Sequence, residues 1–142
     1  MDSRNKRLRT ADEGFADACD QVNRLLSQVE AQAVENHPGR PVYVHILSEE
    51  IEEIGASHVE VLSLAKLDGR WRLAYGCGLD DDPSGLQWTP IAEASIERRL
   101  AAARVAPKFL DSLLKAREAQ VQEARAVAAT LAEALAAFET EA

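Results

Sequence analysis

The last 35 residues of the chain, 108–142, contain no glycine and no proline, and they carry apolar residues at steps of three and four. This spacing places the apolar side chains along one stripe and predicts a long amphipathic helix with a coiled-coil-like pattern. At about 1.5 Å per residue the helix is roughly 50 Å long, which exceeds the diameter of a small domain. The stripe comprises Leu110, Leu114, Val121, Ala124, Ala128, Leu131, Leu135 and Phe138.

A second helix is predicted near the N-terminus, from about Ala11 to Glu35. Acidic residues occupy its first turns, where they meet the positive end of the helix dipole. Residues 37–41 contain two prolines and a glycine and end the helix, because proline disfavours helical geometry in the preceding residue. Residues 1–10 are basic and lack apolar periodicity, so we predict a disordered tail. The apolar stripe of this helix is Phe15, Cys19, Val22, Leu26, Val29 and Ala33.

The middle of the chain has the pattern of β-strands. Residues 42–47 are rich in β-branched side chains, and residues 58–67 and 70–77 flank Asp68-Gly69, a preferred pair for a two-residue hairpin turn. That turn sets a register in which one face of the hairpin is large and apolar, and we expect the helices there. The opposite face is smaller and is predicted to be solvated or to accept another chain at close range. The register pairs Lys66 with Trp71, Leu64 with Leu73, Leu62 with Tyr75 and Glu60 with Cys77.

The region after the hairpin predicts two further helices. Thr89 has the chemistry of a helix N-cap and Pro90 suits a first helical position, whereas Pro107 breaks or kinks the path. The predicted fold is α+β, with an N-terminal helix, a small antiparallel meander of about three strands and two C-terminal helices. Residues 11–142 form one domain in this prediction, and whether the last two helices are continuous across Pro107 stays open.

The apolar stripe of the last helix is longer than one small core can cover. An antiparallel pairing with the N-terminal helix can cover part of it, and a second copy of the chain can cover the remainder. We therefore expect a homo-oligomer, with a dimer favoured. The residues assigned to this self-association surface are Val121, Ala124, Ala128, Leu131, Leu135 and Phe138.

The net charge of −8 is unevenly distributed along the chain. Residues 1–10 and 89–117 each carry a net charge of +3, whereas acidic residues cluster at 49–53 and 80–82. One interpretation is complementarity within the chain or between subunits, and another is that the acidic surface faces a basic partner. The candidate partner surface comprises Glu49, Glu50, Glu52, Glu53, Asp80, Asp81 and Asp82.

Common catalytic patterns are missing from the sequence. The segment 76–78 lacks the third glycine and the following helix of a dinucleotide-binding turn, and the aspartates at 80–82 lack the alternating ligands of a calcium loop. Cys77 can be activated by His45 or His58 only if the fold brings the two side chains together. We therefore expect no enzymatic activity, no cofactor and no metal.

Targeting signals are also missing. The chain has no apolar run long enough to cross a bilayer and no secretory signal peptide, and its two cysteines show no metal or redox spacing. These features predict a cytoplasmic protein with free thiols.

The favoured function is a non-enzymatic protein-interaction module that self-associates through long amphipathic helices and docks a protein partner through its sheet or acidic face. One alternative is an acidic inhibitor or decoy that binds a nucleic-acid-binding protein. Another is a sensor with a small-molecule pocket between the hairpin and the helix after it. Direct binding to nucleic acid is disfavoured by the acidic net charge and by the lack of a known binding motif.

Overall fold

The computed structural model describes residues 2–141, which form two helices and a four-stranded antiparallel sheet. Met1 and Ala142, the outer ends of the predicted tail and domain, lie outside the described residues. The strands are hydrogen-bonded in chain order as a meander, so the predicted α+β class is confirmed. The elements are α1 (Asp2–Glu35), β1 (Tyr43–Ile51), β2 (Ala56–Leu67), β3 (Arg70–Leu79), β4 (Gln87–Pro90) and α2 (Ile96–Glu141), with single 3₁₀ turns at Pro83–Gly85 and Ile91–Glu93.

The hairpin between β2 and β3 forms as its turn chemistry predicts. Asp68 and Gly69 both have positive φ, at 50° and 78°, which matches the twist of a two-residue hairpin turn. Leu64 lies opposite Leu73, and the rest of the predicted register is also confirmed. The large apolar face of the hairpin therefore points towards the helices.

The core lies between this face of the sheet and the two helices. Leu62, Leu73 and Phe109 are its largest fully buried side chains. Leu110 and Leu114 of the predicted stripe are exposed instead, because the neighbouring Phe109 and Leu113 face the sheet. The other core residues are Leu26 and Ala33 from α1, Val44, Leu64 and Tyr75 from the sheet, Ile91 and Ala94 from the connection, and Ala102, Ala106 and Leu113 from α2.

Helices α1 and α2 run in the same direction. The Arg99 guanidinium, near the start of α2, donates a hydrogen bond of 2.8 Å to the Asn23 side chain. Eighteen residues later in α2, the Arg117 guanidinium donates to the backbone carbonyl of His37, just after the end of α1. The antiparallel pairing expected from the sequence is therefore wrong, and neither helix covers the whole of the other.

Two helical arms result from this parallel arrangement. Residues 2–18 of α1, the N-terminal arm, extend beyond the start of α2, and every one of them is exposed. Residues 121–141 of α2, the C-terminal arm, extend beyond the end of α1 and are likewise exposed throughout. Because the helices are parallel, the two arms leave the body in opposite directions.

Both helices are longer than predicted. Helix α1 begins at Asp2 rather than near Ala11, because the segment before Gly14 contains no glycine or proline and is rich in arginine and lysine, which favour helix. Helix α2 continues through Pro107, so the two predicted C-terminal helices are one. Pro107 is exposed, and burial of the adjacent Ala106 and of Phe109 offsets its local cost of about 3 kcal/mol.

The segment before α2 was predicted as a helix start and is instead the fourth strand. Thr89 and Pro90 belong to β4, an edge strand that pairs with β3, and an edge position tolerates a residue without an N–H group. The N-cap role falls to Ser95, whose hydroxyl accepts a hydrogen bond of 3.3 Å from the backbone N–H of Arg98. Strand β1 extends to Ile51, beyond the predicted 42–47, and Gly55 at φ 66° ends the turn that follows it.

Glu30 attaches α1 to the sheet at a point where β3 has no partner from β4. Leu73 lies just beyond the last pair between β3 and β4, and its N–H donates a hydrogen bond of 2.7 Å to the Glu30 carboxylate. The same oxygen lies 3.3 Å from Arg72 Nε.

We expect Glu30→Ala to lower the free energy of unfolding by about 1–3 kcal/mol, because the Leu73 N–H then loses its acceptor in a partly buried place. Urea denaturation followed by circular dichroism measures this change. Glu30→Gln keeps an acceptor oxygen and should retain most of the stability. Equal stability of Glu30→Ala and the unmodified chain would contradict the assigned role.

Candidate interaction site

The C-terminal arm carries all six residues predicted for self-association, and the rest of the described chain leaves them uncovered. The exposed fractions are 59% for Leu131, 54% for Leu135 and 73% for Phe138. Single exposed apolar side chains are normal on a monomer, whereas a continuous exposed stripe is a candidate interaction surface. We call this stripe the C-terminal seam; it consists of Val121, Ala124, Ala128, Leu131, Leu135 and Phe138.

The base of the C-terminal arm is held by the loop that follows α1. The guanidinium of Arg117, the residue that interrupts the predicted apolar stripe, donates to the carbonyl of His37. The side-chain amide of Gln120 donates to the carbonyl of Pro38. The His37 ring in turn lies 4.3 Å from the Trp71 ring, centroid to centroid. These contacts fix the point at which the arm leaves the body and therefore the direction of the seam.

The N-terminal arm carries a shorter apolar stripe. Leu8 and Phe15 are 59% and 57% exposed, and Ala11 lies between them at helical spacing. They continue the line of Cys19 and Leu26, which are buried in the body. The sequence placed Phe15 on the core stripe and missed this surface, although the lack of glycine and proline before residue 14 was the available signal. We call Leu8, Ala11 and Phe15 the N-terminal seam.

The two acidic clusters predicted as a partner surface meet at one end of the sheet. Glu50 pairs with Ser57 across β1 and β2, and the Ser57 N–H donates a hydrogen bond of 2.9 Å to Asp80 Oδ1. Asp82 accepts a hydrogen bond from the Ser84 hydroxyl within its own turn. Among residues 2–141 no salt bridge reaches this group. All seven side chains are exposed and together form an acidic edge: Glu49, Glu50, Glu52, Glu53, Asp80, Asp81 and Asp82.

A polar cluster lies on the helix-facing side of the sheet, close to the start of α2. His58 Nε2 is 3.7 Å from Cys77 Sγ and 3.5 Å from Glu60 Oε2, so the fold does bring Cys77 and His58 together. The Tyr75 hydroxyl donates a hydrogen bond to Glu60, and the Arg98 guanidinium lies 4.8 Å from the centre of the Tyr75 ring. Burial and the bond to Glu60 raise the pKa of Tyr75 above its ordinary value, which keeps the hydroxyl a donor.

This geometry differs from that of an activated nucleophile. A base relay uses one imidazole nitrogen for the nucleophile and the other for the orienting carboxylate. Here the same nitrogen of His58 faces both Cys77 and Glu60. The cluster therefore links β2, β3 and α2.

The small face of the sheet bounds a cavity of about 530 Å³. Trp88 lies over Gly76, where a Cβ atom would come within 2.6 Å of the indole ring, so this glycine is needed for close packing. This cavity lies on the side of the sheet away from the helices. It therefore differs from the pocket that the sequence placed between the hairpin and the next helix. Its floor is Val59, Val61, Ser63 and Ala65, and its walls include Tyr43, Leu86 and Trp88.

Over residues 2–141, no group of three or more His, Cys, Asp or Glu side chains is placed to hold a metal ion. Neither helix has a stretch that is both long and apolar enough to cross a membrane. Comparisons with protein-family models, with curated proteins and with solved structures gave no match.

Proposed function

We propose that this chain is a non-enzymatic, cytoplasmic protein-interaction module that self-associates through its helical arms, with a dimer as the favoured state. One observation carries the proposal: the C-terminal seam is continuous, apolar and exposed on an arm whose base is fixed to the body. Each leucine or phenylalanine of the seam contributes about 1.5–3 kcal/mol when it is fully buried. Several such side chains per copy can offset an association cost of about 4–15 kcal/mol.

The self-association is tested by co-expressing two copies of the chain that carry different affinity tags. Purification through one tag should recover both copies in similar amounts, and the recovered complex should persist at micromolar concentration. Recovery of the captured copy alone would contradict the proposal.

The free thiols of Cys19 and Cys77 support the cytoplasmic assignment, since a reducing compartment preserves them.

The acidic edge is our proposed docking surface for a basic partner protein, which includes the case of a decoy for a nucleic-acid-binding protein. Its seven side chains are exposed at one end of the sheet, and no salt bridge reaches them among the described residues. Basic proteins captured by the immobilised chain should be released at high salt, because exposed charges are screened. A variant with glutamine at residues 49, 50, 52 and 53 should capture less, and equal capture would contradict the assignment.

The cavity on the small face of the sheet supports a second candidate function, the sensing of a small apolar molecule. Its volume of about 530 Å³ falls in the range of known ligand pockets, and most of its lining is apolar. A ligand found by thermal-shift screening should raise the melting temperature of the unmodified chain. Ala65→Phe fills the floor of the cavity and should remove that shift. A shift that persists in this variant would exclude the cavity as the ligand site.

A further inference from the structure

We infer that the outer half of the C-terminal seam, Leu131, Leu135 and Phe138, is covered by the N-terminal arm of a second copy, in antiparallel orientation, in a closed two-fold dimer. This inference rests on the proposed self-association and names the segment that each seam binds. The arms are comparable in length: residues 121–141 span about 32 Å and residues 2–18 about 26 Å at 1.5 Å per residue. Each arm has an apolar stripe that its own chain leaves exposed.

The three residues of the N-terminal seam match the spacing of the outer three residues of the C-terminal seam. Along the N-terminal arm the apolar residues Leu8, Ala11 and Phe15 advance by three and then four positions. Read backwards along the C-terminal arm, Phe138, Leu135 and Leu131 also change by three and then four. The same spacing recurs at Leu131, Ala128 and Ala124, but only the outer register aligns the outer ends of the two arms. It places Leu8 opposite Phe138, Ala11 opposite Leu135 and Phe15 opposite Leu131. The small side chain of Ala11 faces a large one, which suits close packing of two helices.

Charge decides the direction of the pairing, because the seam spacing also fits a parallel arrangement. The outer end of the N-terminal arm is basic, with Arg4 and Arg7 on or beside its seam. The outer end of the C-terminal arm is acidic, with Glu139 and Glu141. Antiparallel pairing brings these two ends together and also opposes the two helix dipoles favourably. A parallel pairing instead places Asp12, Glu13 and Asp17 of one arm towards the acidic end of the other.

The directions of the two arms allow this pairing to close. Helices α1 and α2 are parallel, so the N-terminal and C-terminal arms leave the body at opposite ends. A two-fold axis perpendicular to the helices lays each N-terminal arm along the partner's C-terminal arm, and both pairs form at once. A parallel pairing leaves the N-terminal arm of one copy and the C-terminal arm of the other uncovered. Further subunits then add at both ends and form an open chain. Closure therefore also favours the antiparallel dimer.

Engineered disulfides test the inference in the full chain with Cys19→Ala and Cys77→Ala. One tagged copy carries Ala11→Cys and the other carries Leu135→Cys, and the two are co-expressed and oxidised. We expect the main product to be a disulfide-linked pair that contains both tags. Ala124→Cys replaces Leu135→Cys in the matched control. Residue 124 lies about 16 Å nearer the body than residue 135, so this pair should give at least tenfold less product.

The outcomes separate the inference from the proposed function. If the Leu135→Cys copy cross-links with itself, or if the control links equally well, the inference is overturned while self-association stands. If the unoxidised copies sediment as monomers, both are overturned.

A charge test gives an independent readout. Arg7→Glu should raise the dissociation constant about fivefold at low salt, and adding Glu141→Arg should reverse the increase. A double variant as weak as the single one contradicts the antiparallel direction.

Discussion

Replacing Leu131 and Leu135 with glutamate should convert the proposed dimer to monomers at micromolar concentration while the fold stays intact. Both side chains are exposed in the single copy, so the substitutions leave its core unchanged. In the dimer they place four carboxylates in an apolar interface, where an unpaired charge costs several kcal/mol. A total loss of about 4 kcal/mol raises the dissociation constant roughly a thousandfold. Sedimentation velocity measures the mass, and circular dichroism measures the helix content.

The matched control places the same charges on the opposite side of the arm. Ala126 and Ala137 are exposed and face away from the C-terminal seam at helical spacing. The variant Ala126→Glu/Ala137→Glu changes the net charge by the same amount and should remain dimeric. If the seam variant and the control variant have the same mass, the seam does not form the interface.

Phe109→Ala should lower the free energy of unfolding by about 3–5 kcal/mol, because Phe109 is fully buried between α2 and the sheet. Val127→Ala, on the exposed arm of the same helix, should change it by less than about 0.5 kcal/mol. Both are measured by urea denaturation in the Leu131→Glu/Leu135→Glu background, where association does not contribute. Similar costs at the two positions would show that the arm is packed within one copy, which would contradict the account of α2.

The parts of the fold that the sequence could predict are those set by local chemistry. Asp68 and Gly69 favour one turn type, and that turn determines the entire register between β2 and β3. The segment Thr89-Pro90 was misread because the same residues suit a helix start and an edge strand. Their pairing with β3 decides between the two, and that is a long-range interaction.

The relative direction of α1 and α2 was also beyond local pattern. Apolar periodicity shows which face of a helix is buried but not which way its partner runs. The contacts Arg99–Asn23 and Arg117–His37 show a parallel pair, and this direction leaves both arms uncovered. The continuity of α2 through Pro107 was also not predictable from local pattern. Burial of Phe109 and Ala106 outweighs the tendency of proline to break a helix.

The candidate site was predictable in part for the same reasons. The C-terminal seam follows from residue spacing alone, so its six residues could be named from the sequence. The N-terminal arm was missed because Leu8 is the single large apolar side chain in the described residues before Ala11, too few to show a period. The sequence alone did not show that the two acidic clusters meet at one edge. The meander brings these distant segments together through the pairing of Glu50 with Ser57 and the hydrogen bond from Ser57 to Asp80.

Sedimentation equilibrium of the unmodified chain at micromolar concentration shows whether two copies associate. We expect a mass of twice 15.5 kDa, the value for a dimer. A mass of 15.5 kDa across that concentration range would show that the exposed seams do not bring two copies together, and it would contradict the account.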